Sequence, residues 1–159
     1  MGQKLFDRLR HEHNQIKDIL VKMSETTNSA QIIRDNLLLK LRQILIPHIK
    51  AEENVLYSAL KSNSQSHQIT LEAMEEHHVV SMVFQELENT PSTQDTYRAK
   101  CKVLLELLEH HIEEEEAELF DSAEEVLGKE GLEKLFDMFT AKQEFYLKSI
   151  NMRQDEESA

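Results

Sequence analysis

The chain has 159 residues, 40 % of them hydrophobic, which suits one folded domain or one domain with a tail. Its 3 glycines and 2 prolines argue against turn-rich β folds and glycine-rich phosphate loops, and its single cysteine excludes a disulfide framework or a cysteine-based zinc site. The net charge of −12 argues against nucleic acid or anionic lipid as partners, and without a signal peptide or a long apolar run the cytoplasm is the expected compartment.

Apolar residues recur at helical spacing along almost the whole chain and predict five helices. The predicted helices span residues 3–25, 30–61, 67–89, 93–126 and 131–152. The short polar connections make neighbouring helices antiparallel. We therefore predict an all-α fold, an up-down-up-down four-helix bundle with an additional C-terminal helix. Residues 1–128 would form the bundle, and residues 129–159 a helix and polar tail packed on the same domain.

Pro47 lies inside the second predicted helix, where it removes one backbone hydrogen bond. A shorter helix that begins at Pro47 is one interpretation, because proline is favourable in a first turn. The apolar stripe keeps its phase from Leu41 to Ala59, however. This continuity favours one long helix with a kink at Pro47.

The sequence contains an internal repeat that carries histidines. HIKAEENVLY (48–57) matches HIEEEEAELF (111–120), and EHNQIKDIL (12–20) matches EHHVVSMVF (76–84). The chain therefore consists of two related helix pairs. Each pair contributes one lone histidine and one His-x-x-x-Glu motif.

Six side chains of these repeats are in phase with the apolar faces of their helices. In each His-x-x-x-Glu motif the two side chains are four residues apart, so they project from one helix face. A buried glutamate without a partner is costly, and several such groups in one core require a compensating cation. We therefore expect a metal site in the bundle interior. Its candidate ligands are His13, His48, Glu52, His77, His111 and Glu115.

The donor set contains nitrogen and oxygen but no sulfur, which favours iron, with manganese or zinc as alternatives. Four imidazoles and two bridging carboxylates would form about eight bonds to two ions, whereas two octahedral ions need about twelve. An oxo or hydroxo bridge would fill two places. The remaining places could take water, dioxygen, peroxide or nitric oxide. A single ion held by a subset of these residues remains an alternative.

Neighbouring residues offer substitutes for some of these ligands. His78 and His110 adjoin the favoured histidines but point about a quarter-turn away, which indicates outer or surface positions. Glu116 is the alternative to Glu115, and Glu53 is the alternative to Glu52.

Aromatic residues are expected to lie away from this site. Tyr57 and Phe120 come nine residues after their histidines, so a regular helix turns them about 180° away. We predict that both pack outward, against the fifth helix, and do not touch a metal. The fifth helix carries aromatic residues at positions 136, 139, 145 and 146. They indicate either a cover for one flank of the bundle or a surface for a homodimer or another partner.

Four segments together resemble the hemerythrin family, specifically its prokaryotic HHE cation-binding branch, over about residues 5–125. The segments are EHNQI (12–16), HIKAEENVLY (48–57), EEHHVV (75–80) and HHIEEEEAELF (110–120). The resemblance implies a four-helix bundle around a non-haem di-iron centre. The same six residues would be its ligands, with Glu52 and Glu115 as bridges.

The chain departs from oxygen-carrying hemerythrins at two positions. Ser81 stands where those proteins have a further histidine, and Glu116 stands where they have aspartate. With one histidine fewer, the metal centre would keep more open coordination positions. The resemblance therefore favours sensing, scavenging or redox chemistry over reversible oxygen carriage.

The sequence thus predicts a non-haem di-iron protein that binds, senses or scavenges dioxygen, peroxide or nitric oxide. One alternative is a metal-free helical interaction module with packed histidines. Another is a di-iron enzyme that acts on peroxide or oxygen, although no acid–base pair beyond the ligands indicates turnover.

Overall fold

The computed structural model describes residues 3–159, which contain helices and connecting segments but no β-strand. Helix α1 is Gln3–Glu25 and helix α3 is His67–Glu88. Helix α2 consists of three consecutive helical segments, Gln31–Ala51, Glu52–Tyr57 and Ser58–Lys61. The predicted all-α fold is confirmed.

The fourth and fifth helices are joined by a sharp turn. Helix α4 begins with Thr96–Glu114 and Glu115–Leu119. The helical segment Phe120–Ser158 follows, with non-helical angles at Gly128 (φ 64°, ψ 178°). Residues 120–127 therefore complete α4, and residues 129–158 form α5. Glycine is nearly obligatory in this region of φ/ψ space.

Helices α2 and α4 each contain one π-helical turn. The turns are Glu52–Tyr57 and Glu115–Leu119, and each begins at the glutamate of a His-x-x-x-Glu motif. Helix α2 runs through Pro47, so the predicted continuity is correct, but its hydrogen bonding changes five residues later. A π turn accommodates about one extra residue, so it rotates every later side chain by about 100° relative to a regular α-helix.

Two apolar clusters fill the bundle and leave a polar layer between them. On α1, Leu9 belongs to one cluster and Ile16 to the other, and His13 lies between them. On α3, Ala73 and Val80 flank His77 in the same way. The repeated histidines therefore occupy one level of the core.

Helix α5 covers one flank of the bundle. Leu132, Leu135 and Phe139 are buried in the same apolar cluster as Phe6. Phe145 is 61 % exposed, so the aromatic residues of α5 do not all face the bundle. A homodimer through this helix remains a prediction. Across residues 3–159, no helix combines the length and apolar character needed to cross a membrane.

Candidate metal centre

The six candidate ligands come together in the polar layer of the core. Each of the six side chains belongs to a residue that is at most 3 % exposed. They come from four different helices: His13 from α1, His48 and Glu52 from α2, His77 from α3, and His111 and Glu115 from α4.

Each of the two glutamates contacts one imidazole from each helix pair. Glu52 Oε2 lies 3.3 Å from His48 Nε2 and 3.2 Å from His77 Nε2. The Oε1 atom of Glu115 lies 3.4 Å from His13 Nε2, and its Oε2 atom lies 3.3 Å from His111 Nε2. Both carboxylates therefore stand between the two pairs of histidines, as bridging ligands would.

A second ring of carboxylates surrounds the imidazoles. His48 Nδ1–H donates a hydrogen bond to Glu12 Oε1 at 2.9 Å. The same contact recurs in the second helix pair, where His111 Nδ1–H donates to Glu76 Oε2 at 2.6 Å. In both pairs the acceptor is the glutamate that directly precedes the lone histidine. Such partners orient a metal-binding imidazole and increase its basicity.

The other two imidazoles also face carboxylates with Nδ1. His13 Nδ1–H donates to Glu116 Oε1 at 2.8 Å. His77 Nδ1 lies 3.4 Å from Glu53 Oε1, a looser contact. Glu53 and Glu116 were the alternative ligands in the sequence, but the structure places them at the outer nitrogens. In each Glu-Glu doublet the first residue faces the cluster and the second supports a histidine of another helix.

The outer hydrogen bonds determine which imidazole atoms face inward. A neutral histidine that donates through Nδ1 presents a lone pair at Nε2. The Nε2 atoms of His77 and His111 are only 3.0 Å apart. If both atoms carry lone pairs, they repel at that distance unless a proton or a metal ion lies between them. The arrangement therefore suits a cation.

In the metal-free state, protons supply part of this positive charge. Burial on its own lowers the pKa of His13 and of His111, but hydrogen bonds to Glu115 and to an outer carboxylate raise them to about 9 and about 10. Burial, followed by the charge of Glu115, raises the pKa of Glu52 to about 8. Protonation of these groups offsets the cost of burying several acids and bases together.

Several inward-facing atoms still lack a hydrogen-bond partner within the described chain. They are both carboxylate oxygens of Glu52, Oε1 of Glu115 and Nε2 of His13. Buried polar atoms are normally paired, and unpaired ones at one place indicate a missing ligand or ion. These residues therefore fit a metal ion on the chemistry of their own atoms.

Tyr57 enters the cluster, contrary to the sequence prediction that it packs outward. Its hydroxyl donates a hydrogen bond to Glu115 Oε2 and lies 3.3 Å from His77 Nε2. The π turn explains the error, because one extra residue changes the angle between His48 and Tyr57 from about 180° to about 80°.

Phe120, the counterpart of Tyr57, is also buried rather than outward-facing. Its ring stacks on Phe6 with centroids 4.4 Å apart and lies 6.5 Å from the His13 ring. It shares an apolar cluster with Leu132 and Phe139 of α5.

Sequence reasoning did not single out Glu12 and Glu76, nor the side chains that cover Glu12. Glu12 accepts hydrogen bonds from the Gln143 amide at 2.7 and 2.8 Å and from Arg8 Nε at 3.0 Å. The matched Glu-His pairs at 12–13 and 76–77 were a usable signal for the two glutamates. No local pattern pointed to Gln143, which is 131 residues from Glu12.

Comparisons with known proteins agree with this geometry. Residues 4–123 match the family described as Hemerythrin HHE cation binding domain. A hemerythrin HHE cation binding domain-containing protein from Mycobacterium kansasii has a similar crystal structure, with a TM-score of 0.77 and 27 % identity. That match covers 91 % of this chain and 87 % of the other. None of the curated proteins compared with the chain matches it.

Proposed function

Because the chain belongs to the hemerythrin HHE cation-binding family, we propose that it holds two iron ions and binds, senses or scavenges a small ligand there. The ligand would be dioxygen, peroxide or nitric oxide. The observation that carries the proposal is the convergence of four imidazoles and two carboxylates in a buried layer with unpaired inward atoms.

The grouping of the donors favours two ions over one. One group consists of His13, His48 and Glu52, and a second consists of Glu52, His77, His111 and Glu115. Within each group, one ligand atom per residue lies within 4.8 Å of the others. The groups share Glu52, as expected for a carboxylate between two ions. Nitrogen and oxygen donors suit iron, with manganese or zinc as alternatives.

The chain's own residues prepare the site for a small molecule. Apolar clusters above and below the polar layer exclude water and bulky compounds. Bound iron would supply open coordination positions and redox chemistry. The Tyr57 hydroxyl lies 3.3 Å from His77 Nε2 and 3.5 Å from His111 Nε2. It would donate a hydrogen bond to a small ligand beside them only by turning away from Glu115, its acceptor in the metal-free protein.

Reversible oxygen carriage is not the favoured activity. Ser81, at the position of the additional histidine of oxygen carriers, is exposed. It therefore adds no donor to the buried layer, and the centre stays more open than in those proteins. Helix α5 belongs to the same domain in this proposal, because Leu132 and Phe139 pack in the bundle's own apolar cluster.

Adjacent histidines provide a matched test. His77 is buried in the cluster and His78 is exposed. After anaerobic reconstitution with Fe²⁺, elemental analysis should find about two irons per chain in the wild type and in His78→Ala, on the coordination count above. His77→Ala should retain clearly less. Absence of iron from the wild type, or equal iron in both variants, would contradict the metal site.

Ligand binding needs a separate measurement. The optical spectrum of the reconstituted wild type and of His78→Ala should change on addition of dioxygen, peroxide or nitric oxide. An unchanged spectrum with full iron content would refute the ligand part alone. An oxygen electrode with added peroxide would distinguish turnover from binding.

A further inference from the structure

The two outer glutamates that hold His48 and His111 differ in their exposure. Glu12 is covered by Gln143 of α5 and by Arg8. The side chain of Glu76 is 24 % exposed and has no comparable cover from α5 among its hydrogen bonds in residues 3–159. The second helix pair is therefore more accessible from solvent than the first.

A small cavity of about 10 Å³ lies beside Glu76, between the surface and the buried cluster. Glu72, Glu76 and Glu114 line it, together with His111 and Glu115. The last two are candidate ligands, each only 2 % exposed. Ile69, Ala73 and Leu119 line the cavity as well, so the three acidic residues adjoin the inner site along the edge of one apolar cluster.

His110 completes a group of metal-binding side chains at the mouth of this cavity. Its Nε2 atom lies 3.5 Å from Glu76 Oε1 and 3.3 Å from Glu114 Oε1. The side chains of His110 and Glu114 are 64 % and 47 % exposed, so solvent reaches them. One ligand atom from each of the three residues lies within 4.8 Å of the others.

Glu76 belongs to both the surface group and the inner site. Its Oε1 atom faces His110, whereas its Oε2 atom accepts the hydrogen bond from His111 Nδ1. Glu115 also lines this cavity, and its Oε1 atom, 3.4 Å from His13 Nε2, has no hydrogen-bond partner in the described part of the chain. A buried unpaired carboxylate oxygen is a favourable destination for a cation.

The sequence repeat shows that the surface group is special to the second helix pair. Pro47 and Ala51 stand at the positions that correspond to His110 and Glu114. Arg8 stands where the second pair has Glu72. The first pair thus lacks the surface ligands and carries a positive charge where the second carries a negative one. A cation would be attracted more strongly to the second.

We infer that Glu76, His110 and Glu114 form a capture site that takes a divalent cation from solvent and passes it to Glu115 and His111. The three residues offer one imidazole and two carboxylates to a partly hydrated ion. The ion then has a short path past Glu76 and Glu114 to the inner donors, in a cavity that apolar side chains line on its other side. This inference rests on the proposed function, because the inner cluster is the destination.

A groove on the opposite side does not offer an equivalent route. It is lined by Arg8, Glu12 and Gln143, among others. None of the four buried imidazoles lines it, and its one link to the cluster is Glu12, the acceptor of His48. Arg8 adds a positive charge beside the acidic groups Glu12 and Glu144 of this groove, which weakens its attraction for a cation.

The rate of metal loading tests the capture site. Metal-free full-length protein is mixed anaerobically with Fe²⁺, free ion is removed at set times with a chelator, and the retained iron is measured. The double variant His110→Ala, Glu114→Gln should load about tenfold more slowly than the wild type, because local attraction and binding of the ion are lost. Final iron content should be unchanged. Release to a strong chelator should slow by a similar factor, since both directions use one route.

Glu109→Gln, Glu113→Gln is the matched control. Both residues are exposed and lie on the same helix with the same four-residue spacing. The control removes more negative charge than the test variant, so it measures any general field effect. It should load at close to the wild-type rate.

The outcomes separate this inference from the proposed function. Normal final loading at the wild-type rate in the double variant would overturn the capture site alone. Equal slowing in test and control variants would overturn it in favour of a general charge effect. A wild type that takes up no iron would overturn both. Melting temperatures of the metal-free variants should match the wild type, because the substituted side chains are exposed.

Discussion

The two helix pairs hold equivalent inner side chains in different surroundings. His48 and His111 each donate through Nδ1 to the glutamate before a lone histidine, at 2.9 and 2.6 Å. In the first pair α5 covers that glutamate, whereas in the second pair it faces a cavity. The inner side chains of both pairs point donor atoms into the core. The pairs differ in the cover over Glu12 and Glu76, and therefore in how easily solvent reaches the core from each side. The two repeats thus carry equivalent inner side chains, and helix α5 makes their surroundings unequal.

The largest difference in unfolding free energy is expected between Glu12→Ala and Glu76→Ala. The first change leaves the buried His48 Nδ1–H and the Gln143 amide without an acceptor, which should cost about 3 kcal/mol of unfolding free energy. At Glu76 water can replace the lost carboxylate, so the cost should be about 1 kcal/mol. Urea denaturation of the metal-free proteins measures both. Equal losses would show that the cover over Glu12 has no energetic consequence.

Gly128→Ala tests the turn that directs α5 over the first helix pair. A side chain at φ 64° and ψ 178° is strained, even though a Cβ atom there meets nothing within 4 Å. The expected loss is about 2 kcal/mol. Gly131→Ala is the control: a helical alanine is favourable, but its Cβ would lie 3.1 Å from Leu127 Cβ. Its net effect should stay below about 1 kcal/mol. A smaller loss for Gly128→Ala than for Gly131→Ala would refute the strain argument.

Tyr57→Phe makes the first pair resemble the second, which has Phe120. It removes the hydroxyl that donates to buried Glu115 and should cost about 1–2 kcal/mol in the metal-free protein. Tyr97→Phe is the control, because the Tyr97 hydroxyl is buried without a hydrogen-bond partner in residues 3–159. That change should be neutral or stabilising. Thermal or urea unfolding distinguishes them, and equal destabilisation would be contrary evidence.

The smallest expected effect is that of Gln143→Ala, which uncovers Glu12 and makes the two pairs more alike. Glu12 loses hydrogen bonds of 2.7 and 2.8 Å but keeps those with His48 and Arg8. The unfolding free energy should fall by about 1 kcal/mol. Lys142→Ala, at an exposed neighbouring position, should change it by less than about 0.5 kcal/mol. An unchanged stability in Gln143→Ala would mean that the hydrogen bonds of Gln143 contribute nothing to the hold of α5 on the bundle.

The helices and the inner side chains follow from local sequence. A helix repeats every 3.6 residues, so apolar spacing predicts its extent, and a four-residue step places His48 and Glu52 on one face. The repeat then indicated that the second motif does the same. These features need no knowledge of how the helices pack, and for that reason the five helices and the six converging residues could be predicted.

Tertiary structure decided the rest. Tyr57 faces the cluster because a π turn at Glu52–Tyr57 rotates it, and no residue in that segment signals such a turn by composition. Glu12 is buried and Glu76 is accessible because α5 packs on the first helix pair, and Gln143 reaches Glu12 across 131 residues of chain. Periodicity describes how a helix presents its own side chains. Which neighbour covers them depends on packing between distant segments. Here that packing gives Glu12 and Glu76 different exposure, although the sequence repeat places them at equivalent positions.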